Sequence, residues 1–247
     1  MKPYCIGVMK KEKYRRKFCE HCRGTIILLV VRLLSCRDSR ETATARNVIE
    51  QKFIDAGLVD IRTIDATIEV DLVNSDEGKN YFRENLYSEL QIAYLRREVA
   101  LKLSQAQKIL KSKNPDFSLL IMDAARPRSV SLKMFNKMKG TRFEKYVTDP
   151  GKGSMHNYGI AVDITIVDGS NKELDMGFSP FYKSRVALTI QYLLYKKDRK
   201  LTEEHSKNRR LLVEVMTSAG FIPLNFEWWH FNGLLKDVAR ERYNIIE

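Results

Sequence analysis

Beyond Cys36 the chain contains no cysteine: its four, Cys5, Cys19, Cys22 and Cys36, all fall in the first 36 of 247 residues. That absence excludes a disulfide framework from the body of the protein. Cys19-Glu-His-Cys22 has the spacing of half a zinc knuckle, but no second pair exists to complete it. Histidine is scarce as well. There are four, His21, His156, His205 and His230, so any imidazole-based site must be drawn from these. Long apolar runs are missing too. Thr25–Leu34 is ten residues interrupted by Arg32, against the roughly 20 that span a bilayer.

What is present is ordinary for a soluble domain: 44% hydrophobic and 30% charged residues, in a length that supports one sizeable core. The net charge of +12 invites a nucleic-acid partner, but its distribution argues otherwise. Residues 1–35 hold nine Lys/Arg against two Asp/Glu, a net of +7, and the rest of the chain mixes its signs. No basic patch interleaved with aromatics appears, so no nucleic-acid partner is expected. The basic lead, the short apolar run and Leu33-Leu34-Ser35-Cys36 read as a bacterial lipoprotein signal with Cys36 as the lipidated residue. Residues 1–36 are then an export leader and 37–247 the working domain. That places the protein in the periplasm or cell envelope, touching a membrane only through a lipid anchor. The alternative is a buried strand or core helix in a cytoplasmic protein.

The patterning after the leader predicts one α+β domain. A short helix ends near Ala56, before Gly57, and Thr67–Val73 alternates as a half-buried strand does. The longest helical pattern runs from Leu86 to Lys111, with Leu90, Ala93, Val99, Leu103, Ala106 and Leu110 broadly on one face. Phe117–Met122 is a buried strand that delivers Asp123-Ala-Ala-Arg126-Pro127 to its exit. Helices are expected over Ser129–Lys139, Ser184–Lys196 and Glu204–Ala219, and strands over Ile160–Val167 and Phe226–Phe231. Residues 234–247 are a short helix or a tail.

Asp163 lies in the middle of the apolar, β-branched run Ile160–Val167, where a carboxylate is costly unless something pairs with it. His156 precedes it by seven residues in a turn-prone stretch before Gly159, and Glu227-Trp-Trp-His230 lies further on. His156, Asp163 and His230 have the composition of a three-ligand catalytic zinc centre, one ion per chain, with Glu227 beside it to take a proton from water. Taken singly these residues have blander explanations: a surface histidine, a paired carboxylate, aromatics that are simply core. Glu227 and His230 are three apart, on opposite faces of a regular strand, so Glu227 must reach the metal from a bend. Arg126, a permanent cation in a turn stiffened by Pro127, suits the oxyanion formed when water attacks an amide, or else forms a structural ion pair with Asp123. Ser154 and Asp175 are candidates to contact substrate termini or to cap turns. His205 looks incidental, and Ser154 lacks the Gly-x-Ser-x-Gly setting of a serine hydrolase.

Together Arg126-Pro127, Ser154-x-His156-x2-Gly159-x-Ala161-x-Asp163, Leu174-Asp-Met-Gly177, Asn208-Arg209 and Glu227-Trp-Trp-His-Phe231 resemble the zinc D-alanyl-D-alanine dipeptidases, over roughly residues 45–232. The resemblance implies a mainly antiparallel central sheet flanked by helices, the zinc D,D-peptidase (Hedgehog-type) fold. It implies His156, Asp163 and His230 as zinc ligands, Glu227 as general base and then acid, and Arg126 as transition-state partner. The implied substrate is a small D-amino-acid dipeptide from peptidoglycan metabolism. The Leu-Asp-Met-Gly element and paired tryptophans point to the dipeptidase branch over D,D-carboxypeptidases that trim stem peptides. A non-catalytic wall-binding module is a further alternative, which Glu227 and Arg126 argue against. Asp123-Ala-Ala-Arg126 replaces the more usual Asp-Gly-Tyr-Arg, and Phe178 stands where a small polar residue is common.

Overall fold

The computed structural model describes residues 47–80, 82–141, 144, 149, 151–177, 201–225 and 227–247. The leader with Cys36, the Cys19–Cys22 pair and the helix expected over Ser184–Lys196 lie outside these residues. Asn47 opens the described body by capping α1 (Val48–Asp55), its side-chain oxygen accepting from Ile49 N at 2.8 Å. The order then runs β1 (Val59–Asp60), β2 (Glu69–Val70), β3 (Tyr94–Leu95), α2 (Arg97–Lys113), β4 (Ser118–Asp123) and α3 (Arg128–Met138). It continues with β5 (Ala161–Val167), α4 (Glu203–Ser218), β6 (Ile222–Leu224), β7 (Glu227–Asn232) and α5 (Lys236–Arg242). Among the described residues no helix is long and apolar enough to cross a membrane.

The main sheet has the order β2-β4-β5-β7-β6, parallel only between β2 and β4 and antiparallel elsewhere. β1 and β3 form a separate antiparallel pair. This is the mainly antiparallel α+β architecture that the patterning and the resemblance led us to expect. Cross-strand register sorts the sheet into two sides, because directly opposed residues point the same way. Leu119, Ile121, Val162, Ile164, Ile166 and Phe231 make one side, all fully buried. Each buried aliphatic or aromatic side chain contributes roughly 1.5–3 kcal/mol. α2 packs against β4, and α4 against α2, β6 and β7. On the other side Asp123 opposes Asp163, and Asp163 opposes His230. Three adjacent strands thus present three buried polar side chains in a row.

Three expectations need correction. The helix predicted from Leu86 begins only at Arg97. Leu86, Leu90 and Ala93 are buried as the pattern required, but in an irregular segment with Ser88 and Glu89 in the left-handed region, φ 51° and 66°. Its backbone groups are taken by distant partners: Leu86 N donates to Asn74 O at 2.8 Å, and Ala93 O accepts from Ile61 N at 3.0 Å. A helix would have needed the Ala93 carbonyl for its own i to i+4 bond. The strand expected over Thr67–Val73 shrinks to Glu69–Val70, and a 3-10 turn, Val73–Ser75, follows it. A further strand, β6, was not among those expected; it lies at the sheet's edge, where the missing N–H of Pro223 is tolerated. Residues 234–247 hold α5 and then a segment whose Ile246 is buried.

Candidate metal centre and active site

His156 stands on a 3-10 turn, Met155–Tyr158, that leads straight into β5. Ser154 caps the turn: its Oγ accepts from His156 N at 3.4 Å, while Asn157 Oδ1 accepts from Ser154 N at 2.8 Å. Gly159 ends it at φ 71°, and a Cβ there would sit 2.8 Å from Leu58 Cδ2, so the left-handed turn packed against Leu58 favours glycine. Asn157, wholly buried, donates to Arg126 O at 2.8 Å and to Ser131 Oγ at 2.9 Å. Its own carbonyl accepts from Ile246 N at 2.8 Å. The segment after α5, undecided from sequence, therefore braces the turn that carries His156.

His156, Asp163 and His230 meet, all three buried, with one donor atom from each within 4.8 Å of the other two. His156 Nδ1 lies 2.6 Å from the carbonyl of Ala124 and must carry the proton of that bond, which leaves a lone pair on Nε2. His230 Nε2 lies 3.1 Å from Asn232 Oδ1, and with the proton on Nε2 for that bond the Nδ1 lone pair faces the cluster. Those two lone pairs face each other at 3.2 Å, with Asp163 Oδ1 at 3.4 Å from the first and 2.9 Å from the second. Three acceptors so placed repel one another unless a cation stands among them. Ligands of a tetrahedral zinc at ordinary bond lengths are separated by about 3.3 Å, close to these spacings. Two imidazole nitrogens, each ring oriented from behind, and one carboxylate oxygen fit a zinc-type ion.

The titration of the cluster carries the same imprint. Burial would raise the Asp163 carboxyl, but the charges and hydrogen bonds of His156 and His230 outweigh it and hold it well below the usual range. Burial would lower the His230 imidazole, but the bond and charge of Asp163, the charge of Glu227 and the bond to Asn232 raise it above 6.5. Without metal, a proton on His230 therefore stands in for the ion. That contribution is fully present below the unfolded value of 6.5 and is lost as pH rises through the raised folded value. Metal binding, by contrast, strengthens as pH rises, because protons compete for the ligands. Melting temperatures with and without a chelator should lie closer together near about pH 6 than near about pH 8. A gap that narrows with rising pH would contradict this arrangement of charges.

Glu227 reaches the cluster because the β6–β7 register slips. Between the pairs Pro223–Phe231 and Leu224–Glu227, β6 advances one residue while β7 advances four. The bulge breaks strict alternation, so Glu227 comes to the same side as His230, the bend that the sequence demanded. Its Oε2 lies 3.8 Å from His230 Nδ1, beyond hydrogen-bond range, on a side chain still one-quarter exposed. Arg126 follows β4, its guanidinium paired through Nε (3.1 Å) and Nη2 with Asp123 Oδ2. The ion pair with Asp123 therefore exists. It leaves the cation beside the row that Asp163 shares, and the charges of Asp123 and Asp163 hold Arg126 protonated against burial.

Asp175 is not at the cluster. It borders a cavity of about 840 Å³ on the Asp163 side of the sheet, with Glu69, Leu120, Glu173 and Trp228. The amide of Gly177 and then His205 hold its carboxyl below the usual range. His205, which looked incidental, thus supports Asp175 at 3.2 Å. Asn208 Nδ2 and Arg209 Nε donate to the carbonyls of Asp175 and Met176 at 2.9 and 2.7 Å. The sequence signal for this was the Asn-Arg pair, whose purpose only the fold reveals. Trp229 is core, whereas Trp228 lines the cavity.

The model of the peptidase M15 family, described as D-ala-D-ala dipeptidase, matches residues 55–246. The D-alanyl-D-alanine dipeptidase of Escherichia coli (strain K12) is 31% identical over 46% of this chain and 53% of its own length. The chain thus spans about half the length of that relative. The D-alanyl-D-alanine dipeptidase of Synechocystis sp. is 26% identical over 63% of this chain and 78% of its own. Among solved structures, the LdcB LD-carboxypeptidase overlaps 60% of this chain and 63% of its own at 20% identity and a TM-score of 0.36, and adds nothing to the assignment. With a family model covering most of its length, the chain belongs to the D-ala-D-ala dipeptidase family of peptidases.

Proposed function

We propose that the protein is a zinc-dependent hydrolase that splits D-alanyl-D-alanine into two D-alanines. The observation that carries this is the convergence of two imidazole nitrogens and one carboxylate oxygen within hydrogen-bond distances, with each ring oriented from behind by a backbone or side-chain partner. A zinc ion held by His156, Asp163 and His230 supplies Lewis acidity, polarising a carbonyl and making water easier to deprotonate near neutral pH. Glu227, outside the ligand set but 3.8 Å from one of its atoms, accepts the proton of the attacking water and returns it to the leaving amine. Arg126, kept protonated and anchored through Asp123, meets the negative charge that develops on the carbonyl oxygen. Asp175 offers an exposed carboxylate to the substrate's ammonium end, while Ser154 acts chiefly by holding the His156 turn. An envelope location, inferred from the leader alone, fits a substrate of cell-wall origin.

One feature favours the second reading, a D,D-carboxypeptidase acting on peptidoglycan stems. The cavity of about 840 Å³ beside Asp175 is roomier than a dipeptide needs. It is lined by Trp228, whose buried indole N–H has no hydrogen-bond partner among the described residues. Zinc-loaded protein should release D-alanine from free D-alanyl-D-alanine with kcat/KM at least about tenfold above that for a stem pentapeptide. Cleavage of the pentapeptide alone would replace the first reading with the second, and cleavage of neither would end both.

A further inference from the structure

Asp123 accepts more hydrogen bonds than an ion pair with Arg126 requires. Its Oδ1 takes the Tyr87 hydroxyl at 2.6 Å and the Ala124 N–H at 3.0 Å. Its Oδ2 takes Asn74 Nδ2 at 2.9 Å and both Arg126 donors, Nε at 3.1 Å and Nη2. A carboxylate facing a guanidinium on its own ordinarily engages the fork with both oxygens. Here Oδ1 is occupied by Tyr87 and Ala124, and both guanidinium bonds fall on Oδ2. Arg126 Nη1 makes no protein hydrogen bond among the described residues.

We propose that Tyr87 and Asn74 are positioning residues for Arg126: they fix the rotation of the Asp123 carboxylate so that the guanidinium hangs from Oδ2 and keeps Nη1 for the oxyanion. The inference rests on the role given to Arg126 above. Asn74, on the 3-10 turn after β2, and the irregular segment of Tyr87 are locked to each other, since Leu86 N donates to Asn74 O at 2.8 Å. The Tyr87 carbonyl is held in turn by Asn47 Nδ2 at 3.0 Å. Tyr87 is 1% exposed, and burial followed by the Asp123 charge keeps its phenol protonated as a donor. Neither residue touches His156, Asp163, His230 or Glu227 through any described hydrogen bond, so their influence passes through Asp123.

The test is a double-mutant cycle on the zinc-loaded protein, with whichever substrate it turns over. Tyr87→Phe should lower kcat about 10- to 100-fold, the range seen when groups that orient a site's working residues are removed. KM should stay within about twofold, and metal content should not change. In an Arg126→Ala background the same substitution should alter kcat by less than about twofold. Asn74→Ala is the second variant, should Tyr87→Phe fold poorly by circular dichroism, and the same pattern is expected of it. Metal-free protein gives an independent readout: the Arg126 Nε–H resonance, identified by its loss in Arg126→Ala, should shift and exchange faster with solvent in Tyr87→Phe. Equal losses of kcat in both backgrounds, no loss in the Tyr87→Phe single variant, or an unchanged Arg126 resonance would each overturn the proposal. If Arg126→Ala itself leaves kcat intact, it is the role of Arg126 that has failed, and the proposal falls with it.

Discussion

Glu227→Gln should load zinc as fully as the wild type and turn substrate over about 10²- to 10⁴-fold more slowly, the usual contribution of a positioned acid–base group. The two side chains are nearly isosteric, so the β6–β7 bulge that presents residue 227 is left undisturbed. What changes is the ability to accept a proton. The expectation of full metal content follows from geometry: Glu227 Oε2 is 3.8 Å from His230 Nδ1 and lies outside the group of three donor atoms that meet within 4.8 Å. A quarter of the side chain remains open to solvent, as access for water requires. KM should change little, because the lost interaction is made only as the proton moves. Metal analysis beside steady-state kinetics decides the matter. Activity within tenfold of wild type would remove Glu227 from the mechanism, and loss of metal would make it a ligand.

Asp163→Asn should separate stability from function. In the wild type Asp163 Oδ1 faces His230 Nδ1 at 2.9 Å and His156 Nε2 at 3.4 Å, three acceptors that only a cation reconciles. An amide placed there offers two N–H donors, one for each imidazole lone pair. The metal-free variant should therefore melt at or above the metal-free wild type once the pH exceeds the raised folded value of His230, where its proton no longer helps. Its zinc affinity should fall by about 10³-fold or more, since apparent zinc binding energies of about 10–16 kcal/mol spread over the ligands give each several kcal/mol. Hydrolysis should fall below detection at stoichiometric zinc. Calorimetric zinc titration with thermal melts makes the comparison. Wild-type zinc affinity in this variant would mean that the ion, if any, is held elsewhere.

The residues of the site were legible because their chemistry is out of place. An aspartate inside Ile160–Val167, an imidazole before a glycine, and a glutamate and histidine flanking two tryptophans each contradict their local surroundings. Such contradictions point to a partner. The main elements were legible for the opposite reason, since β4, β5, α3 and α4 follow their apolar periodicities closely. Tyr87 was not legible. Leu86, Leu90 and Ala93 fall at helical spacing, and the segment is indeed buried. Its backbone, however, is spent on bonds to Asn47, Asn74 and Ile61 that no local pattern announces. β6 was missed for a similar reason, because only the sheet order says that it is an edge strand.

By itself, then, the sequence determined which side chains had to find a partner and which segments had to be covered. Burial energy and hydrogen-bonding capacity belong to residues and travel with them along the chain. The register did not. That Asp123, Asp163 and His230 stand side by side on β4, β5 and β7, that a slip against β6 turns Glu227 toward them, and that Tyr87 closes on Asp123 from a turn 36 residues away, were decided only by the tertiary structure. One residue of slip in any strand pairing would turn every side chain of that strand to the other face. The pairing that wins is the one in which the aliphatic side of the whole sheet is buried at once, and no stretch of the chain carries that sum alone.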